Sequence, residues 1–229
     1  MKRPAAAALL ISAILLAACS KKEKAADTAA AAPAAPAPAA TASTAPAKPA
    51  AEPSEAQLER EKKQKLLDYS VMEDKYINDP RAQWASDAKA SSVFGDDNGR
   101  KPSDSNLAKN VTGPADGNDW SNNNLDKGFD WLETGYTNPV FATEVRVVIP
   151  GDKGVEAINK VELQDTGGKW NTVWEGMSDV KRDERGNRTW FVRTFEKTPY
   201  KAKAVKITYA NNLQHSYKEV DAVQLVGDQ

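Results

Sequence analysis

From Trp84 to the C-terminus the chain breaks into short runs rich in Val, Ile, Thr, Tyr, Phe and Trp, each closed by Gly, Asn, Asp or Pro. A chain punctuated this often cannot hold long helices; it can build a sandwich or a barrel. Alternation is plain in several runs. Val161 and Leu163 fall on one side of a strand while Lys160, Glu162 and Gln164 fall on the other, and Val205 and Ile207 alternate with Lys206 and Thr208. The pattern predicts strands at 83–90, 107–111, 130–136, 142–149, 158–165, 172–175, 189–195, 204–209 and 222–226. Gly167-Gly168 between two of them is a hairpin signal. About 145 residues suffice for one β core and not for two.

The preceding residues have a different character. Lys2 and Arg3 precede an apolar stretch from Ala5 to Ala17, which has the layout of a secretory leader and is too short to span a bilayer. Cys19, the only cysteine, follows Leu16-Ala17-Ala18. These residues resemble the lipobox of bacterial lipoproteins; the competing reading is an ordinary leader with a cysteine there by chance. The resemblance implies cleavage before Cys19, acylation of that residue with chains such as palmitate, and attachment to the bacterial cell envelope. Each buried acyl CH₂ contributes about 0.8 kcal/mol, so several chains make a permanent anchor. Ser20 in place of Asp implies the outer membrane. With no second cysteine there is no internal disulfide, and stability must come from a packed core.

Between Cys19 and Pro53 the chain is Ala, Pro, Thr, Ser and a few Lys, which denies it both a helix and a core. In polyproline geometry, at roughly 3.1 Å per residue, this tether reaches up to about 100 Å. Ser54 with Gln57 then forms a capping-box pattern, and Asn78-Asp79-Pro80 is a stop. The first half of the enclosed helix is polar all round, while Leu66, Tyr69, Met72 and Tyr76 recur at helical spacing, so the second half should dock on the domain that follows; a self-association seam is the competing reading, on a pattern short for a coiled coil. The expected division is a leader at 1–18, lipidated cysteine and disordered linker at 19–53, charged α-helix at 54–79 and β-sandwich at 80–229. The formal net charge of -1 gives no electrostatic footprint for nucleic acid.

Several segments of the last region carry a family resemblance. Ala90-Ser91-Ser92, Asn110 to Asp116, Trp120, Phe129 to Glu133 and Asn138-Pro139-Val140 come first. Lys160 to Asp165, Gly168-Lys169-Trp170, Val173 to Gly176, Val205-Lys206-Ile207 and the closing Glu219 to Gly227 follow. Together they resemble discoidin-like, galactose-binding-like jelly rolls. The resemblance implies an all-β sandwich with its first and last strands close together and long loops clustered at one end. It also implies a binding role, toward glycans, lipid head groups or proteins. Many members pin their ends with a disulfide, which this chain cannot do, and many hold a structural calcium. Asp96, Asp97, Asp116 and Glu219 are available donors, without the spacing of a calcium loop such as an EF-hand. No other cofactor is expected.

Subtraction argues against an enzyme. His215 is the only histidine, which excludes a histidine cluster for zinc, and no Gly-x-Ser-x-Gly elbow or glycine-rich phosphate loop occurs. Carboxylate pairs such as Asp116 with Asp119, or Glu219 with Asp221, suit a glycosidase at the right separation, but in Asn- and Gly-rich segments they commonly make turns. Binding is the better reading. Trp120, with Asn122, Asn123 and Asn124, joins an aromatic face to amides, the combination sugars require; a core tryptophan beside turn-forming asparagines is the competing reading. Arg182 and Arg185, with Arg188, either present guanidinium groups to an anionic glycan or head group or pair with Asp183 and Glu184 as a solvated tip. His215 stands in a polar loop before the last strand. Trp131, Trp174 and Trp190 read as core, and Trp170 as either. The sequence therefore points to a membrane-anchored envelope lipoprotein whose sandwich binds a carbohydrate or other envelope ligand without catalysis. The alternatives are an assembly lipoprotein docking an envelope protein and, third, a hydrolase.

Overall fold

The computed structural model describes residues 53–96 and 101–229. The leader, Cys19, most of the Ala/Pro-rich stretch and Asp97 lie outside the described residues. The chain runs through helix α1 (Glu55–Ile77) and ten strands: β1 (Ala82–Trp84), β2 (Asp87–Ala90), β3 (Trp120–Ser121), β4 (Phe129–Pro150), β5 (Ile158–Asp165), β6 (Trp170–Glu175), β7 (Arg188–Thr194), β8 (Lys201–Ala210), β9 (Glu219–Val220) and β10 (Ala222–Asp228).

β4 organises the architecture. Its first half pairs antiparallel with β2 and β8, and its second half with β10 and β7. The register breaks between Gly135 and Val140, where Pro139 has no N–H to give. One layer therefore runs β2-β4-β8-β5-β6 and the other β1-β10-β4-β7, with β4 crossing between them. The Trp174 ring of β6 meets Phe191 of β7 edge-on at 5.6 Å, which places the two layers face to face. The antiparallel sandwich and the pairing of β1 with the last strand, β10, agree with the expected fold class.

Alternation fills the core. Val145, Val147 and Ile149 of β4, Val161 and Leu163 of β5, Val205, Ile207 and Tyr209 of β8, and Val223 and Leu225 of β10 are all fully buried. Each such side chain contributes about 1.5–3 kcal/mol by leaving water. The expected strand at 107–111 is absent. Those residues form short 3-10 turns, Asp104–Asn106 and Ala108–Val111, with Asn110 Nδ2 donating to Asp104 O and Asp119 O. The expected strand at 83–90 is split at Ala85-Ser86, and those at 130–136 and 142–149 are one strand.

α1 begins with the expected capping box, Ser54 and Gln57 bonding each other's backbone. Its second half lies on the outer face of the β1-β10-β4-β7 layer. Tyr69 is 7% exposed and its hydroxyl donates to Arg188 O at 3.0 Å; Tyr76 packs on Trp190 with centroids 5.0 Å apart. Arg146 stacks its guanidinium 4.5 Å over the Tyr76 ring, pairs with Asp79 at 2.7 Å and also bonds Glu144. Gly186 is required under the helix, since a Cβ there would stand 2.3 Å from the Tyr69 ring. Leu66 departs from the expected docking face: it is 49% exposed.

Candidate ligand-binding surface

Three segments meet at one end of the sandwich: 91–96 after β2, 121–128 between β3 and β4, and 211–218 between β8 and β9. Backbone bonds tie them together: Phe94 N to Ser121 O at 2.8 Å, Asn122 N to Lys218 O at 3.1 Å, and Asn211 N to Gly128 O at 3.0 Å. Below them sits Asp130, 1% exposed. Its Oδ1 accepts from Ser91 Oγ at 2.7 Å and Ser92 Oγ at 2.8 Å. Its Oδ2 accepts from Asn122, Asn211 and Asn124 amides at 2.7, 2.9 and 3.0 Å. Burial alone would raise this carboxyl, but the bonds from Ser91, Asn122, Asn124 and Ser92 outweigh it and hold Asp130 below the ordinary carboxylate range. Lys218 is also fully buried among these loops. Burial lowers its ammonium to about 8, against the pull of Asp130 and Asp126.

Above this polar floor the loops present a mixed surface. Phe94 is 38% exposed and meets Tyr217 edge-on at 4.7 Å. Asn123 bridges the loops, accepting from Gly95 N at 3.2 Å and donating to Asp96 O at 3.3 Å. Asn124 is exposed, and His215 lies 3.5 Å from Asp126 with most of its ring in solvent. Phe129 adds a ring that is 65% exposed. Aromatic edges and faces beside amides, a carboxylate and an imidazole can contact both the C–H and the hydroxyl sides of a sugar.

The structure moves two expected contact residues inside. Trp120 is fully buried, stacked at a tilt on Tyr209 at 5.8 Å, with its indole N–H donating to Ser92 O at 2.9 Å. It is a core residue rather than a ligand contact, because the paired segments β3 and β9 carry it under the loops. Asn122 is likewise fully buried, with its amide on Asp130 and its Oδ1 accepting from Lys218 N at 2.8 Å. Asn123, Asn124 and His215 are brought together at the surface. Phe94, Tyr217 and Lys218 escaped sequence reasoning: a lone Phe before Gly95 and a Lys between Tyr217 and Glu219 look like ordinary loop residues. The Ser91-Ser92 pair and Asp130 stood in the resemblance segments, but no local spacing links them.

Arg182 and Arg185 lie elsewhere, in the connection from β6 to β7, where a cleft of about 420 Å³ separates that connection from α1. Arg185 forms a bidentate pair with Asp183, at 2.9 and 2.8 Å. Arg188 lies between Asp221 at 3.2 Å and Glu73 at 3.5 Å, and Arg182 faces Glu184 at 3.5 Å. Each guanidinium is neutralised by the protein's own carboxylates, so the cleft is not an anion trap. The self-paired reading of this segment fits the geometry better than the ligand-binding one.

Two of the expected calcium donors are already engaged. Both Asp116 oxygens accept from Asn118, at 2.9 and 3.0 Å, and Glu219 faces Lys153 at 3.4 Å. Asp221 accepts from Asp116 N, Gly117 N and Arg188 Nε. Among the described residues no group of three or more acidic, histidine or cysteine side chains is placed to hold a metal ion. Asp119 Oδ1 is buried without a hydrogen-bond partner, and burial, with Asp221 and Glu219 nearby, raises this carboxyl to about 6. One such oxygen does not make a ligand set.

No family model matches the sequence, and no curated protein sequence matches it significantly. Solved structures do share similarity with it. The family 32 carbohydrate-binding module of Clostridium perfringens NanJ, in complex with galactose, is 17% identical with a TM-score of 0.45, over 63% of this chain and 98% of the module. Chitosan-binding module 1 of a chitosanase/glucanase from Paenibacillus sp. IK-5 is 14% identical with a TM-score of 0.46, over 62% of this chain and 94% of the module. An F5/8 type C domain from Bacteroides fragilis is 16% identical with a TM-score of 0.48, over 66% of this chain and 99% of the domain.

Proposed function

We propose that this chain is a lipid-anchored protein of the bacterial envelope whose sandwich holds a glycan, without catalysis, on the loop surface around Phe94, Tyr217, Asn123, Asn124, Asp126 and His215.

 The observation that carries this reading is the exposed Phe94 ring, set edge-on to Tyr217 beside exposed amide, carboxylate and imidazole groups. A sugar places its C–H face on a ring and its hydroxyls on such groups. Binding rather than turnover is supported by the state of the candidate chemistry. The sole histidine is paired with Asp126 in the open, and the carboxylates of Asp116, Glu219 and Asp221 are engaged by amides or cations. The anchor rests on Cys19 and the residues before it.

Titration of the detergent-solubilised full chain with envelope polysaccharide fragments tests the surface. Phe94→Ala and Tyr217→Ala should each weaken binding about tenfold, the equivalent of roughly 1.4 kcal/mol. Unchanged affinity in both variants would remove this surface from consideration, and release of a smaller sugar would replace binding with hydrolysis. Metabolic labelling with palmitate tests the anchor: incorporation should disappear in Cys19→Ser. A second reading, docking of a protein partner, is favoured by Leu67 and Val71 of α1, which are 57% and 62% exposed. It predicts no glycan affinity and a partner crosslinked through α1.

A further inference from the structure

Lys218 is fully buried, and its Nζ lies 2.6 Å from Ser216 O, 2.7 Å from Leu125 O, 2.9 Å from Gln214 O and 3.0 Å from Asn211 O. Lysine is almost never buried so completely unless its charge is compensated. Here the compensation comes from main-chain carbonyls on two loops, 121–128 and 211–217. The three N–H donors of an ammonium meet four oxygens, so no donor is idle. No carboxylate touches the ammonium; Asp130, the nearby acid, directs its oxygens to Ser91, Ser92, Asn122, Asn124 and Asn211. An oxygen cage closed around one positive charge is the arrangement of a bound cation, except that this cation is attached to the chain.

The stem is held as firmly as the head. Lys218 N donates to Asn122 Oδ1 at 2.8 Å, and Lys218 O accepts from Asn122 N at 3.1 Å. A third segment closes on the aliphatic part. A Cβ at Gly154, whose φ is +95°, would stand 2.7 Å from Lys218 Cγ and 2.9 Å from its Cβ. The turn before β5 therefore approaches so closely that only glycine fits.

We propose that the Lys218 ammonium is the resident cation of this loop cluster, a tethered charge that fixes loops 121–128 and 211–217 against each other without an ion from solution. Lys218 is thereby a positioning residue for Asn124, Asp126, His215 and Tyr217. That last consequence rests on the glycan-surface reading; the cage itself does not.

Two measurements test it on the full chain. In ¹⁵N-lysine-labelled protein at neutral pH, the Lys218 ammonium should give a slowly exchanging signal coupled to the carbonyl carbons of residues 125, 211, 214 and 216. A signal that exchanges like those of exposed lysines would overturn the proposal, whatever the variants do. Lys218→Ala should lower the melting temperature by about 10 °C, and n-butylammonium chloride should restore much of it where n-butanol and sodium chloride at equal concentration do not. Equal rescue by n-butanol, or a Lys218→Met protein melting within about 2 °C of the parent, would also overturn it, since an apolar stem would then serve as well. Chelator or added calcium should leave the parent's melting temperature unchanged. Glycan affinity is read separately: cation-specific rescue in a protein that binds no glycan keeps the cage and discards the surface reading.

Discussion

The two outer faces of the sandwich carry similar residues and have different fates. On the β1-β10-β4-β7 layer, Trp190, Trp84 and Arg146 lie under α1, with Tyr76 wedged among them. On the β2-β4-β8-β5-β6 layer, Trp131 and Trp170 are also aromatic and also flank a cation, Lys206, whose Nζ is 3.9 Å from the Trp170 ring and 5.5 Å from Trp131. Among the described residues no helix covers them. Instead, cross-strand pairs such as Lys89 with Glu133 at 2.7 Å and Lys206 with Glu133 at 3.5 Å lie along the sheet, half-buried except for the open Lys89 side chain. The same aromatic–cation chemistry serves as a joint under a helix on one side and as a half-buried sheet surface on the other. What differs is desolvation, which strengthens each polar contact under the helix and makes each one costly to break.

That difference can be broken first at the joint. Trp190→Ala should destabilise the fold by about 3–5 kcal/mol in urea unfolding, and Arg146→Ala by a similar amount, because Asp79 and Glu144 lose their buried partner. Tyr69→Phe removes one hydrogen bond, to Arg188 O, and should cost about 1 kcal/mol by the same measurement. On the open face, Lys206→Ala and Trp170→Ala should each cost only about 1 kcal/mol, since partly solvated pairs and cation–π contacts contribute less than those under the helix. Losses there as large as those under the helix would show that the open face is covered in solution. A pH effect sharpens the edge of the joint, where Arg188 reaches Asp221 and both act on Asp119. Asp119 titrates at about 6 in the fold against 3.8 as a free side chain, so the folded protein holds an extra proton between those values. Stability from this group is therefore greatest at the acid end of that window and is lost as pH rises through about 6. Melting curves across that range should show the slope, and Asp119→Asn should flatten it.

Much of this division was legible in the residues. The alternation of Val161 and Leu163 with charged neighbours marked β5 to its ends, and the Ser54–Gln57 box marked the start of α1. The docking of Tyr69, Met72 and Tyr76 followed from their spacing. Other features depended on partners far along the chain. Leu107 to Val111 has apolar ends that suit a strand, but Asn110 bonds across the turn and, among the described residues, no strand pairs with it. Trp120 resembled a loop tip because its neighbours are Asn and Ser. It is buried because Val220, a hundred residues on, pairs with it. Trp131 was expected in the core and is partly exposed, since β4 turns that side outward. Lys218 carried no local mark of burial at all, because its cage is assembled from carbonyls that every residue possesses.

β10, Ala222–Asp228, lies between β1 and β4 and is the last of the ten strands among the described residues. A polypeptide threaded N-terminus first must therefore keep one wall of its sandwich open until β10 arrives. Closure then depends on contacts of long sequence separation, which form slowly. Truncation before Ala222 would remove an interior strand rather than an edge, leaving β1 with nothing to join and the shortened product exposed to proteases.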